Sequence, residues 1–432
     1  MMSLAFLGFA TVATFIGLIM TKRLSAMVAL IVVPILFGLI SGAGPELGEM
    51  AFRGIEQVAP IALLLCFAIL FFGIMMDAGL FDPLVRRILY VVGNDPMRIA
   101  LGTTALTAIV SVDGDGTTTA IIVISALLPV YRAVGMSPLI LATLLCITNA
   151  ILNLVPWGGP AARAAIALKV DLMTQIFLPM LPALLLALAA TSVLAWYFGR
   201  MERARLGWQP SVMVREMPVL DVRPERRPHL FWPNMMLTIV LMAGLFTQVA
   251  PLPVLLMGAF AIAITLNYPR LKDQRERLND HASNVFMVFA LIFAAGSFTG
   301  ILEGTGMLAA MADGLLAATP DVLGPYYALV TALLSLPLTF LMSNDAYYFG
   351  IVPVLAEAAA AYGVPADAIA RASLVGQPVH QLSPLLAPVY LAAGMLGLEV
   401  GELQRFALKF AALASLVLLL AAIATGAIPL VA

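Results

Sequence analysis

The sequence predicts an all-α polytopic membrane protein: two inverted-topology repeats of five transmembrane helices, each repeat carrying one re-entrant hairpin and one broken helix. Three observations point there. First, 62% of the 432 residues are hydrophobic and only 11% are charged, whereas soluble domains carry about one quarter charged residues. Second, many apolar runs approach the roughly 20 residues of helix needed to cross hydrocarbon. Third, polar and helix-breaking residues interrupt four of these runs, at places that correspond between the two halves of the chain. The balance of 23 Lys and Arg against 24 Asp and Glu leaves a net charge of -1, which gives no bias toward nucleic acid. Cys66 and Cys146 have neither the count nor the spacing of a disulfide framework or a zinc site.

The first span is expected over 2–20. It has no basic segment ahead of it and is followed by Lys22 and Arg23, the pattern of a retained span rather than a cleaved signal. Spans over 25–41 and 59–78 come next. Polar residues divide the apolar segment 99–130 into arms too short to cross individually, so it reads as a re-entrant hairpin. A broken span over 138–168 and a span over 173–199 complete an N-terminal repeat, 1–199. Residues 200–231 form a polar linker whose seven arginines serve topology and leaflet electrostatics. The C-terminal repeat, 232–432, holds spans over 232–249, 253–267 and 284–303. A hairpin over 325–357, a broken span over 366–398 and a last span over 403–428 complete it. With each hairpin returning to its side of entry, every Lys and Arg except Arg53, Arg163, Lys169 and Arg371 gathers on one face. The positive-inside rule makes that face cytoplasmic and leaves both termini outside, in a bacterial-type cytoplasmic (inner) membrane. His229 and His281 fall in cytoplasmic loops with no assigned role, and Arg371 is expected to snorkel near the outer surface.

The halves align at an offset of 227 residues. MMDAGLFDPL (75–84) falls on LEGTGMLAAM (302–311), and GMSPLILATL (135–144) on YGVPADAIAR (362–371), so that Pro138 and Pro365 coincide. Five spans is an odd number, so the second half inserts upside down relative to the first, the plan of many secondary transporters. Oppositely oriented halves bring hairpin tips and helix breaks together near the midplane, where freed backbone groups are tolerated only if they line a cavity or bind something.

The first tip, Asp113, Gly114, Asp115, Gly116, Thr117, Thr118 and Thr119, places two carboxylates and three hydroxyls in an apolar segment. An ionised Asp there costs several kcal/mol unless it is solvated, paired or protonated, so the tip calls for a cation, a proton or an aqueous cavity. Ser343, Asn344 and Asp345 form the opposite tip, followed by Tyr347 and Tyr348, which are read as packing residues. Asp113, Asp115 and Asp345 are the candidate metal ligands. Together with His380 they are also the candidates for proton coupling. In the broken span of the first half, Asn149, Asn153, Pro156, Trp157, Gly158, Gly159 and Pro160 stop the helix. The half-helix that follows points its positive end inward, toward a substrate carboxylate, and Arg163 on its first turn is read as a bidentate clamp for it, the alternative being a pair with one of the aspartates. The matching break supplies Gln377, His380, Gln381 and Ser383, with His380 aligned to Asn153.

With the stretches MMDAGLFDPLVRRIL (75–89), SVDGDGTTT (111–119) and NLVPWGGPAARAA (153–165) in view, the chain resembles the citrate-metal/proton symporter (CitMHS) family of the ion-transporter superfamily. The resemblance implies uptake of citrate, or a related tricarboxylate, complexed with a divalent cation such as Mg²⁺ or Ca²⁺ and driven by protons, with no prosthetic group. The superfamily implies a homodimer in the lipid bilayer that moves substrate by an elevator-like displacement. Sodium-coupled relatives carry Ser-Asn-Thr tips, whereas this chain has Val112-Asp113-Gly114 and Ser343-Asn344-Asp345, acids in place of neutral ligands. Two transport alternatives stay open: a sodium-coupled di- or tricarboxylate symporter, and a cation/proton antiporter on the same scaffold. An intramembrane Mg²⁺-dependent transferase using Asp113 and Asp115 is disfavoured, because such an enzyme needs no second acid-bearing hairpin. The expectation is a transporter, not an enzyme.

Overall fold

The computed structural model describes residues 3–114, 116–208 and 225–431, with the side chains of Asp113 and Asp321 outside that description. Asp115 and most of the expected linker therefore lie outside the described residues. Helices α1 (Leu4–Met20) and α2 (Ala26–Ile40) each start at a serine, Ser3 and Ser25, whose hydroxyl accepts from the backbone N–H three residues on. Helix α3 (Leu47–Ala78) stops at Gly79, which takes a left-handed φ of 84°. Helix α4 (Asp82–Val92) leads to α5 (Pro96–Val110) and α6 (Gly116–Val134), the arms of the first hairpin. The broken span is α7 (Pro138–Leu152) and α8 (Gly159–Leu168), and a π-helical turn, Leu172–Phe177, opens α9 (Leu178–Leu206).

The second half repeats this order with α10 (Phe231–Thr247), α11 (Leu252–Asn267), α12 (Leu271–Gly304) and α13 (Met307–Ala318). The second hairpin is α14 (Tyr327–Leu341), then a π-helical stretch, Ala346–Ile351, running into α15 (Val352–Ala360). Its broken span has three pieces, α16 (Ala366–Ser373), α17 (Gln377–His380) and α18 (Ala387–Leu396), and α19 (Val400–Ala424) closes the chain. Shifted by 227 residues, α1 falls on α10, α2 on α11 and α4 on α13.

Several elements differ from expectation. Helix α3 starts at 47 rather than 59 and α12 at 271 rather than 284, because charged residues continue each helix beyond its apolar stretch; Glu49 and Arg53, for example, pair one turn apart on α3. Helices α4 and α13 were not expected as separate elements. In α4, Val85, Leu89 and Val92 are buried while Arg86 is exposed, a one-sided stripe that windowed hydropathy averages away. One arm of each hairpin is also longer than expected: Gly116–Val134 and Val322–Leu341 are each apolar and long enough, at 19 and 20 residues, to cross a membrane. The threonines of the first tip continue α6 rather than forming a loop. Arg371 does not snorkel. It is 8% exposed, and its guanidinium donates to Gln175 O at 2.5 Å, to Asp367 at 2.7 Å and to Ala427 O, pinning the chain end and the first π-helical turn.

The central contact is between α3 and α12. A β-carbon on Gly304 would meet the Met50 side chain, Gly54 abuts Gly296 and Gly300, and at the other end Gly73 lies against the His281 ring while Asp77 meets His281 and Arg277. As numbers rise along α3 they fall along α12, so the two helices are antiparallel. The 227-residue offset carries Met50 to Arg277 and Asp77 to Gly304, so the crossing maps onto itself when the halves are exchanged. Phe15 and Phe298, with centroids 4.9 Å apart, fasten α1 to the same crossing.

Candidate substrate-binding site

The two helix breaks are where the hairpin tips come to rest. At the first, α7 ends at Asn153 and the chain is extended at Gly158 before α8 resumes with Pro160 in its first turn, where a missing N–H is harmless. The first tip folds over this break. Trp157 Nε1 donates to Val112 O at 2.6 Å, and Ser111 Oγ donates to Asn149 Oδ1 at 3.0 Å. Gly114, at φ 80°, passes against Trp157 and Gly158. A β-carbon at Gly116 would stand 3.0 Å from Asn149 Nδ2 and 3.6 Å from Gln381 Nε2, so residues of both breaks flank this one tip.

The second tip rests on the second break and reaches the first. Gln377 Nε2 donates to Asn344 Oδ1 at 3.0 Å and to Tyr348 OH at 3.0 Å, while Asn344 Nδ2 returns a bond to Gln377 Oε1 at 3.4 Å. Tyr348 thus joins the polar network rather than only packing. Ser343 Oγ accepts from Ala346 N, and Ser383 Oγ donates to Phe340 O at 2.7 Å. The connection between halves is an ion pair: Arg163 Nε donates to Asp345 Oδ1 at 2.7 Å, with the two side chains 25% and 17% exposed. Arg163, read as a substrate clamp with an aspartate pair as the alternative, is here held by the second tip. Asp345, a candidate metal ligand, pairs with that guanidinium. No group of three His, Cys, Asp or Glu positioned for a metal ion occurs among the described residues.

Thr119 Oγ1, Asn149 Nδ2, Asn153 Oδ1 and His380 Nε2 are buried with no hydrogen-bond partner among the described residues. Such groups are the ones that water or ions serve. His380 Nδ1 lies 2.5 Å from Thr339 O. A carbonyl only accepts, so the proton sits on Nδ1 and Nε2 presents a lone pair.

A cavity of about 1010 Å³ leads to this region. Gly114, Thr117, Thr118, Trp157, Gly159 and Arg163 form its inner end, around the start of α8. Ser343, Asn344, Asp345, Gln377, His380, Gln381 and Ser383 do not line this cavity, and the second tip is joined to its wall through the Arg163–Asp345 pair. The mouth is lined by Asp77, Asp82, Glu225, Arg226, His281 and Asn284. Here His281 Nε2 lies 2.9 Å from Asp77, Arg226 donates to Met76 O at 2.6 Å and lies 3.3 Å from Asp82, and Tyr268 OH donates to Glu225 O at 2.9 Å. Burial and the charge of Asp77 push the Tyr268 phenol up to about 12, so it stays a neutral donor. Sequence reasoning missed this mouth and left His281 without a role. The signal was present: Arg277, His281, Asn284 and Val288 follow helical spacing and extend the apolar face of the 284–303 span upstream.

Residues 15–376 match the CitMHS family, described as citrate transporter. The chain belongs to the citrate transporter family. Two curated relatives from Bacillus subtilis (strain 168) cover 98% of this chain and 99% of their own length: "Citrate transporter" at 49% identity and "Mg(2+)/citrate complex secondary transporter" at 46%. In fold, the chain is similar to the Alcanivorax borkumensis YdaH transporter, with TM-score 0.54, 16% identity and coverage of 89% of this chain and 88% of that one. It is likewise similar to Neisseria gonorrhoeae MtrF, with TM-score 0.58, 15% identity and coverage of 91% and 85%. Family and relatives are transporters, which sets the transferase alternative aside.

Proposed function

We propose that this transporter imports citrate as a complex with a divalent cation, Mg²⁺ first among the candidates, and that protons drive the uptake. Membership of the citrate transporter family and the relative described as a Mg(2+)/citrate complex secondary transporter support the substrate. The observation that carries the reading is the make-up of the inner end of the cavity. Arg163 and the start of α8 present positive charge, and beside them Thr117 and Thr118 belong to a tip that also carries Asp113 and Asp115 in sequence. A bare tricarboxylate suits only the first set. A metal complex, with its reduced negative charge and a hard cation that takes oxygen ligands, suits both.

Coupling follows from the Arg163–Asp345 pair. A substrate carboxylate that takes the guanidinium displaces Asp345, and the freed carboxylate then needs a new partner at that depth, the co-transported proton. The open lone pair on His380 Nε2 is a second acceptor nearby. The mirrored crossing of α3 and α12 supports an inverted repeat, with the basic face in the cytoplasm and both termini outside. An elevator-like displacement and a homodimer complete the proposal.

The test is uptake of labelled citrate into proteoliposomes. The expected result is uptake that needs Mg²⁺, is abolished by a chelator and follows an imposed pH gradient. Uptake undiminished by chelator rejects the complexed substrate, and uptake driven by a sodium gradient alone and indifferent to pH rejects proton coupling in favour of the sodium symporter.

A further inference from the structure

A second cavity, of about 190 Å³, is lined by Lys169, Thr299, Glu303, Phe349 and Glu357 together with apolar residues. Phe349 lines both cavities and is itself 1% exposed, so its ring lies between them. On α12 the large cavity takes His281 through Ile292 and the small one takes Thr299 and Glu303. At 1.5 Å of rise per residue, about 10 Å of helix separates the two, and His281 and Glu303 lie about 33 Å apart. That is close to the thickness of a hydrocarbon core, about 30 Å, so the cavities belong to opposite ends of one membrane-length helix.

A charge pair lines the small cavity as well as a ring, with the Lys169 and Glu303 side chains 29% and 54% exposed. Lys169 is the left-handed C-cap of α8, at φ 54°, at the far end of the half-helix that carries Arg163, and its ammonium meets the Glu303 carboxylate. The pair ties the substrate-facing half-helix to the helix of the central crossing. Phe349 lies four residues beyond Asp345, within the π-helical stretch Ala346–Ile351, a geometry that often marks functional sites. The aromatic septum is thereby linked to the Arg163–Asp345 pair on the other side of it.

We propose that the small cavity is the outer vestibule of the same transport route, and that the Lys169–Glu303 pair with Phe349 is its closed barrier. The ligand class is a carboxylate anion carrying a divalent cation: Lys169 takes the carboxylate as the pair opens, and Glu303 and Glu357 face the cation. The proposal rests on the citrate-metal reading above, and its test separates the two. Cys66 and Cys146 are replaced by serine, Lys169→Cys and Glu303→Cys are introduced, and the new thiols are joined by a short, reducible bis-methanethiosulfonate. The cross-linked protein is expected to bind Mg²⁺-citrate in calorimetry with Kd changed less than twofold, through the large cavity, while proteoliposome uptake falls at least tenfold and returns on reduction. Binding retained with uptake within twofold of the reduced protein overturns the barrier and leaves the substrate reading standing. No binding in either form overturns the substrate reading, and the vestibule with it. A second variant, Lys169→Gln, needs no cross-link: it is expected to raise the uptake KM at least tenfold with the efflux KM unchanged, and equal changes in both directions overturn the role of Lys169.

Discussion

Arg163 and Asp345 come from opposite halves of the sequence, 182 residues apart, and meet at 2.7 Å. Removing either partner leaves the other as an uncompensated charge in a part-buried site, which costs more than the pair itself is worth. Arg163→Gln and Asp345→Asn are each expected to lower the uptake rate at least tenfold, and the double variant to be no worse than the poorer single. Uptake rates in the four-membered cycle would then show a coupling on the order of 1–2 kcal/mol. Additive losses would mean the two side chains act independently. The sequence left a substrate clamp and a pair with an aspartate both open for Arg163, because an arginine facing a carboxylate is chemically the same whether the carboxylate is a ligand's or the chain's own. His380 shows the same limit. Its place at a helix break was legible, but which nitrogen is engaged depends on Thr339 O, 41 residues away.

Element by element, apolar length was legible in most of the long apolar helices, and lost where charge or amphipathicity takes over, as in the early turns of α3 and α12 and in α4 and α13, and in the hairpin arms Gly116–Val134 and Val322–Leu341, which read as too short beside their polar tips. Close helix approach was legible on one side only: Gly296, Gly300 and Gly304 repeat every four residues along α12, the spacing at which helices pack closely, but nothing in the sequence names Gly54 as their partner. A β-carbon at Gly54 would overlap the Gly296 carbonyl oxygen, and there the opposing atom is backbone that cannot swing away. Gly54→Ala is therefore expected to destabilise by about 1–3 kcal/mol, the usual cost of overpacking, read as a lower melting temperature in detergent. Gly48→Ala on the same helix, with open space around its β-carbon position, should leave melting unchanged. Equal melting of the two variants would remove the argument for the tight crossing. The start of α5 gives a pH-dependent case. Burial pushes the Asp95 carboxyl up, but hydrogen bonds from Arg203 and the Met97 N–H, with the charges of Arg203 and Arg98, outweigh burial and hold it below its usual value. A carboxylate depressed in the fold contributes its stability in full above the unfolded pKa, about 3.9, and loses it as pH falls through the folded value. Melting temperature should thus drop as pH is lowered through that window, and the drop should be shallower in Asp95→Asn; parallel slopes would show that another group sets acid stability.

At the scale of the whole molecule, the mirrored crossing of α3 and α12 makes a prediction about sidedness. If the halves are related by a twofold axis in the membrane plane, residues 227 apart must emerge on opposite faces. Thr21, in the turn after α1, corresponds to Gln248, in the turn after α10; Ala43, between α2 and α3, corresponds to Arg270, between α11 and α12. Thr21, Gln248 and Arg270 are exposed and Ala43 is half-exposed, so cysteines placed there in a background without Cys66 and Cys146 can be labelled. A membrane-impermeant maleimide applied to intact cells is expected to label Gln248→Cys and Ala43→Cys at once, and Thr21→Cys and Arg270→Cys only after permeabilisation. The basic residues near Thr21 and Arg270 set that direction through the positive-inside rule, but the reversal within each pair follows from the fold alone. Labelling of Thr21→Cys and Gln248→Cys from the same side would place the two halves in parallel. It would also contradict the antiparallel contact of α3 with α12.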